Sequence, residues 1–452
     1  MHNTPFYKNL KLSLVAILLL LTAAGCAEKT SEDAELSESE KQTIPASTSD
    51  RSITQDQYGI TLPLLDAFFA DSSFKTDIKR EVGLTDDEVL KLQQMAREET
   101  AKIQDISGDD YTRTTTAAQQ LAEQRIAAII GNEKGAKLAS YLNRRWSGSM
   151  VDASTGSGPD SNAPSGTMNS VPTDTRVVVN APAHRMDIFN NGQLVKSYTI
   201  AIGVPEFPLP VGMRKANEII FNPTWTPPDE SWVDSSKKYT VGKKVEAGSK
   251  LNPLGVLKVP IGLPSLIHGG KSEAQLGTFG SHGCVGLTNT QAIKFSQQLA
   301  ALGSDSLDDK EITAITKNKK ETKSIKLTNA VPIELRYETI VAQDSGLYIY
   351  RDVYSRGTNT EENVRRVLDQ HGVKYDQLSD TERTQISDAI RAMSGLTDSV
   401  AMASSSDTAK KSTASAKTGK STAAAKSAKS AQSKKMRVIK IASLAGKGYP
   451  SP

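Results

Sequence analysis

The residues able to do chemistry are concentrated in one stretch. Ile267-His268-Gly269-Gly270 is followed by Gly280-Ser281-His282-Gly283-Cys284-Val285-Gly286-Leu287. Two of the five histidines, His268 and His282, therefore lie within sixteen residues of Cys284, one of only two cysteines. A thiol with a pKa near ~8.5 is mostly protonated at neutral pH, so a nucleophilic cysteine needs a base or cation beside it. It also needs a pocket for the developing anion, usually made of backbone N–H groups, and glycine permits the tight backbone that aims them. Ser-His-Gly-Cys brings both requirements together. The apolar residues around Ile267 put His268 at the end of a strand, with its ring turned into a pocket. Two other readings stand beside this one. A lone cysteine is often a small buried hydrophobe, and His268, His282 and Cys284 are three potential zinc ligands, although no fourth ligand and no Cys-x-x-Cys accompanies them.

The elements that must position these groups are legible in outline. Apolar residues make up 37% of the 452, charged residues 23% and aromatics 5%, a lean composition in which polar segments dilute ordinary cores. It excludes a multi-span membrane protein, a collagen and a disulfide-stapled mini-protein. Residues 27–55 are Ser/Thr/Glu/Asp-rich and read as a flexible tether. Residues 56–146 read as a helical domain: Thr85 with Glu88 forms a capping box, Leu84 with Val89 a hydrophobic staple, and Val89, Leu92 and Ala96 one apolar stripe, with Leu121, Ala128 and Ile129 a second. A Ser/Gly/Pro linker covers 147–174. From Arg176 the pattern turns to short strands. Asn191-Gly192 between alternating runs is a hairpin signal, and β-like runs recur at 218–221, 255–259, 331–336 and 346–350. One helix is expected over 290–302. Residues 359–394 read as a helical hairpin, with Asn359/Glu362 and Ser379/Glu382 as capping signals and Gly372 ending its first helix. Residues 397–452 read as a basic low-complexity tail without fixed structure.

With the strand-rich region in place, the motifs resemble the catalytic domain of the L,D-transpeptidases of the YkuD family. That pattern is a His-Gly, a spacer of about a dozen residues, then Ser/Thr-His-Gly-Cys. Pro208-Leu209-Pro210-Val211-Gly212, Asn222-Pro223-Thr224-Trp225 and Asn252-Pro253-Leu254-Gly255 fall in the family's order. The resemblance covers 175–355 and implies an α+β multidomain chain: a mainly β, YkuD-like catalytic domain flanked by small α-helical regions and disordered linkers. It also implies that Cys284 is the nucleophile and His268 the general base, its ring oriented by the Gly269 carbonyl. The Ser281, His282, Gly283 and Cys284 turn would supply the oxyanion pocket, with His282 shaping the site. The implied reaction joins peptidoglycan tetrapeptide stems, or a protein lysine, through a thioester with release of D-alanine, and it needs no cofactor or metal. Two residues depart from the pattern. Gly286 stands where the family usually has Arg, which puts substrate-carboxylate anchoring in doubt, and Gly270 stands where Thr or Ser is common. A wall-binding lipoprotein that has lost turnover, or an L,D-carboxypeptidase, is the alternative.

The two ends of the chain carry different signals. Lys8 and Lys11, the apolar run 12–21 and Thr22-Ala23-Ala24-Gly25-Cys26 read as a lipoprotein signal peptide over 1–26, with Cys26 lipidated. With Ala27 following, the expected location is the cell envelope, anchored on the periplasmic side, with the outer membrane favoured. From Thr408 onward there are ten Lys, one Arg and no acid, while the rest of the chain carries 44 bases against 51 acids. This tail reads as a solvated terminus or as an electrostatic contact with anionic envelope polymers. Nucleic acid is not an expected partner of an exported protein.

Overall fold

The computed structural model describes residues 59–71, 73–103, 114–146, 169–262, 264–394 and 435–451. The signal peptide, Cys26, the tether, most of the linker and most of the basic tail lie outside the described residues. Among the described residues no helix is long and apolar enough to cross a membrane.

Four helices come first: α1 (Leu62–Phe69), α2 (Phe74–Val82), α3 (Asp86–Thr100) and α4 (Thr115–Trp146). The expected capping box opens α3, with the Glu88 N–H donating to Thr85 Oγ1 and the Thr85 N–H donating to the Glu88 carboxylate. Val89, Leu92 and Ala96 are buried as their spacing predicts. Of the expected stripe on α4, Leu121 and Ile129 are partly buried against this core beside the fully buried Ala122, Ile126 and Ile130, whereas Ala128 faces solvent. The i, i+4 geometry of this face ends where Gly131 breaks the helix at φ 75°.

The strand-rich middle of the chain is a curled mixed sheet. Its strands are β1 (Arg176–Asn180), β2 (Arg185–Asn190), β3 (Gln193–Thr199), the short β4 (Ile202–Gly203), β5 (Gly212–Phe221), β6 (Leu257–Pro260), β7 (Leu266–Lys271), β8 (Phe279–Ser281), β9 (Val285–Thr288) and β10 (Lys323–Arg336). Three helices interrupt them: α5 (Ser231–Ser235) between β5 and β6, and α6 (Asn289–Leu302) and α7 (Asp309–Lys317) between β9 and β10. Asn191 and Gly192, both at positive φ, make the two-residue turn that joins β2 to β3. The main sheet runs β3-β2-β1-β10-β5-β6-β7-β9, with β4 and β8 forming a separate parallel pair. Just beyond β3, Ala201 forms an antiparallel bridge to Gly286 on β9 through two 2.9 Å hydrogen bonds, so the two ends of the sheet order meet. The sheet closes around Val177, Ile188, Ile219, Ile267 and Val285, with Phe295 and Leu299 of α6 packed into that core.

The C-terminal part corrects three expectations. The strands β11 (Ile340–Gln343) and β12 (Gly346–Tyr350) do not extend the main sheet. They form a separate sheet with β13 (Met436–Lys440), in the order β11-β12-β13. The helices α8 (Glu361–Gln370) and α9 (Asp380–Met393) are therefore not an isolated hairpin, because Val364, Val367, Ile386 and Met393 share a core with Ile349 and Ile439. Residues 435–451 are structured rather than part of a low-complexity tail. The alternation of Met436-Arg437-Val438-Ile439-Lys440 lets Ile439 enter that core while Val438 stays exposed, and Tyr449 packs edge-on against Phe189 with ring centres 5.7 Å apart. A capping signal is also reassigned. Thr360 caps α8, whereas Asn359 is buried and donates to the Tyr350 and Met393 carbonyls.

Candidate active site

The nucleophile candidate sits at a strand entrance. Cys284 lies in the turn from β8 to β9, where Gly283 takes a φ of 83° that a side chain would disfavour. The turn is braced from within. The Cys284 N–H donates to Ser281 Oγ at 3.0 Å, and the Ser281 hydroxyl donates to the Cys284 carbonyl at 2.5 Å. That N–H, also expected among the anion donors, is bonded to Ser281 in this structure, and the same turn carries the N–H groups of His282 and Gly283. Cys284 is a free, half-buried thiol.

The base candidate sits on the neighbouring strand. In the parallel pairing of β7 with β9, Ile267 faces Val285 and His268 faces Gly286. Ile267 and Val285 point into the core, so alternation puts His268 and Gly286 on the opposite face. His268 is buried, and its Nδ1 lies 2.7 Å from the Gly269 carbonyl oxygen. A carbonyl can only accept, so Nδ1 carries the proton and Nε2 keeps its lone pair. Burial, followed by the nearby Lys271 ammonium, pushes the imidazole down from 6.5 to about 3 against the pull of that hydrogen bond. Burial also pushes the Cys284 thiol above its usual 9.0, opposed by a hydrogen bond from the Leu266 backbone and by the Lys271 charge. Both groups are thus neutral at rest.

His282 belongs to an aromatic cluster that sequence reasoning did not anticipate. The ring of Trp232, on α5, stacks on His282 with centres 4.2 Å apart and planes 8° from parallel, and Phe207 meets the same imidazole edge-on at 5.2 Å. Trp225 stacks in turn on Trp232 at 6.2 Å and receives Tyr239 at 4.7 Å. The indole N–H of Trp232 donates to the Glu230 carboxylate at 2.7 Å. Glu230 is buried, which pushes its carboxyl from 4.5 up to about 8, with Asp66 of α1 adding to the rise. The only hint in the sequence is the Pro227-Pro228-Asp229-Glu230-Ser231-Trp232 segment, which has no period to place it.

The helical domain reaches this cluster directly. Arg97 of α3 pairs with Asp229 at 2.5 Å and Asp234 at 3.1 Å, on either side of Trp232, and the Ser231 hydroxyl donates to the Arg97 carbonyl. Thr61, which caps α1, donates to the Glu206 carbonyl beside Phe207, and Thr115 to the Pro205 carbonyl. Both loops that touch His282 are therefore held by residues from outside the catalytic sheet. A further residue missed in the sequence is Asn289, whose Oδ1 accepts from the Gly270 N–H at 2.9 Å and the Val256 N–H at 3.0 Å, pinning the end of β7.

Among the described residues no group of three or more His, Cys, Asp or Glu side chains is arranged to hold an ion.

Residues 174–320 match the family model described as the L,D-transpeptidase catalytic domain, YkuD. No curated protein sequence matches the chain. Among solved structures, an Enterococcus faecium L,D-transpeptidase shares 13% identity over 36% of this chain and 50% of its own, at a TM-score of 0.22. The catalytic domain from the E. faecium enzyme shares 16% over 37% of this chain and 100% of its own, at 0.23. L,D-transpeptidase 1 of Mycobacterium tuberculosis shares 16% over 36% of this chain and 61% of its own, at 0.21. This chain spans about half the length of the first of these. The family match ends before β10, although that strand lies between β1 and β5 in the sheet. The family match is confined to residues 174–320, where the chain is similar to the YkuD family of L,D-transpeptidase catalytic domains.

Proposed function

We propose that the protein is a peptidoglycan L,D-transpeptidase working through a thioester on Cys284. The observation that supports the reading is that Cys284 directly precedes β9, the strand paired with the β7 that carries His268, whose Nδ1 is committed to the Gly269 carbonyl. Nε2 is then the only ring atom able to take a proton. Cys284 Sγ attacks the carbonyl of the third residue of a tetrapeptide stem while its proton passes to His268 Nε2. The oxyanion is met by the His282 and Gly283 N–H groups. As the C–N bond breaks, His268 returns the proton to the leaving D-alanine amine, and the acyl group stays on sulfur. An acceptor amine, from a second stem or a protein lysine, attacks the thioester. Its proton goes through His268 to the departing thiolate, which restores the resting state. Ser281 holds the nucleophile's backbone, and His282 is held in place by Trp232 and Phe207.

Incubating the purified protein with a tetrapeptide muropeptide and, separately, with a carbapenem, then recording intact mass, tests this. The reading requires an adduct on Cys284, released D-alanine and a cross-linked dimer. A trimmed tripeptide alone would point to carboxypeptidase action. A folded protein with a reduced thiol and no adduct from either reagent would sink the reading in favour of a wall-binding role.

The envelope location is part of the same proposal: lipidation at Cys26, release of the signal peptide and anchoring on the periplasmic side, in the outer membrane. The support is the Ala-Ala-Gly-Cys sequence behind a short apolar run. Labelled palmitate should enter the wild-type chain and not Cys26→Ser; equal labelling of both would refute it.

A further inference from the structure

The two departures from the family pattern, Gly270 and Gly286, meet at a third residue. In the pairing of β7 with β9, His268 lies opposite Gly286 but Lys271 lies opposite Thr288, so β7 spends three steps where β9 spends two. This is a β-bulge, and an extra residue in a strand reverses the face on which the following side chain emerges. Gly270 is the residue that permits it. Its φ is 82°, and a Cβ there would meet the Pro253 carbonyl oxygen at 2.6 Å, so Thr or Ser does not fit this backbone. With the bulge in place, Lys271 emerges on the face of His268 rather than on the face of Ile267.

Gly286 supplies the space that Lys271 occupies. A Cβ on Gly286 would lie 2.7 Å from Lys271 Cγ and 2.8 Å from Lys271 Cε, so the lysine stem crosses directly over the glycine. Any side chain at 286 would have to displace it, and Ala201 closes the other side at 3.2 Å. The ammonium is near enough that its charge acts on both His268 and Cys284.

From this geometry we propose that Lys271 supplies the site's cation in place of a residue at 286, and that it binds the C-terminal carboxylate of the peptide whose carbonyl Cys284 attacks. The proposal deepens the reading of Cys284 as nucleophile and rests on it for the identity of the peptide. The chemistry recognised is a carboxylate held by an ammonium beside a thiol. The bulge at Gly270 and the bare strand at Gly286 then form one device, which moves the positive charge from β9 to β7.

Two measurements test this, one of which does not depend on turnover. The first is the ratio of Cys284 alkylation by iodoacetate, which carries a carboxylate, to that by neutral iodoacetamide. Lys271→Met, which keeps the length of the stem, should lower this ratio about tenfold, the scale of one charge-assisted contact. Lys271→Arg should restore it. An unchanged ratio in Lys271→Met overturns the proposal. The second is acylation by tetrapeptides with a free or an amidated C-terminus. Lys271→Met should raise KM for the free acid, with kcat less affected, and leave KM for the amide unchanged. Equal losses on both peptides would mean a structural role and would also overturn it. If the wild-type protein is not acylated by either peptide while the alkylation ratio still falls in Lys271→Met, the cation assignment stands and the transpeptidase reading fails.

Discussion

The indole of Trp232 lies flat on the imidazole of His282, with centres 4.2 Å apart and planes 8° from parallel. Trp232 belongs to the short helix α5, held by α3, whereas His282 belongs to the turn that carries the nucleophile candidate. An aromatic pair of this kind is worth about 0.5–1.5 kcal/mol beyond its buried area. Its larger effect here is to fix one conformation of the Ser281–Cys284 turn. Trp232→Ala should lower the rate of Cys284 acylation about tenfold, on the arithmetic of ~1.4 kcal/mol per decade, and Trp232→Phe should recover part of it. Wild-type acylation kinetics in Trp232→Ala would show that the stack positions nothing.

Cys284→Ala should abolish covalent capture of peptide or carbapenem while changing stability by no more than about 1 kcal/mol, since it removes one half-buried sulfur from a turn braced by Ser281. Intact mass and a thermal melt check both halves. Loss of folding in this variant would make the cysteine structural.

His268 is held neutral, its imidazole pushed from 6.5 down to about 3 mainly by burial. A depressed folded value means that the unfolded chain binds the proton first. The stability contributed is complete above pH 6.5 and is lost progressively as pH falls toward 3. His268→Gln should therefore flatten the acid limb of the stability profile and slow alkylation of Cys284 at pH 7. Alkylation at the wild-type rate would remove His268 from its assigned role as base.

Glu230 shows the opposite sign. Its carboxyl is pushed from 4.5 up to about 8 by burial, so its contribution is complete below pH 4.5 and is lost as pH rises through 8. Asp66, pushed from 3.8 up to about 6 by its own burial, adds to the loss in the lower part of that window. Glu230→Gln keeps an acceptor for the Trp232 N–H and cannot ionise. Its melting temperature should change less than that of the wild type between pH 5 and pH 9. Parallel curves for the two proteins would contradict the assignment.

Arg97 joins the helical domain to the Trp232 loop through two ion pairs. The carboxylate side chains of Asp229 and Asp234 are 56% and 57% exposed, so each pair is worth no more than about 0.5–1 kcal/mol. Arg97→Ala should leave the global melt nearly unchanged but increase hydrogen exchange across 229–236, because the cost falls on local opening. Unchanged exchange there would show that the helical domain does not hold the loop.

Where an element obeys a local rule, the sequence was sufficient. The capping boxes at Thr85 and Ser379 and the turn at Asn191-Gly192 depend only on residues a few positions apart, and all three form as their spacing requires. Cys284 and His268 stand out as candidates on residue type and short separation alone, and the pairing of β7 with β9 brings their segments side by side. Contacts without a period were not legible. Trp232 reaches His282 from another segment, Arg97 and Thr61 reach loops more than a hundred residues away in the chain, and β13 pairs with β12 across the intervening helices. The tail was misread for a related reason: its lysines dominate the composition, while the alternation that makes Ile439 a core residue spans only five positions. Lys271 is the clearest case. Strand alternation alone assigns it to the face opposite His268, and only the bulge allowed by Gly270, fixed by Asn289 and by the space over Gly286, turns its charge toward the thiol. Residue type determined which groups could react, whereas the register between two strands decided which charge stands beside them, because a shift of one residue inverts the face and is set by packing rather than by any signal within the strand.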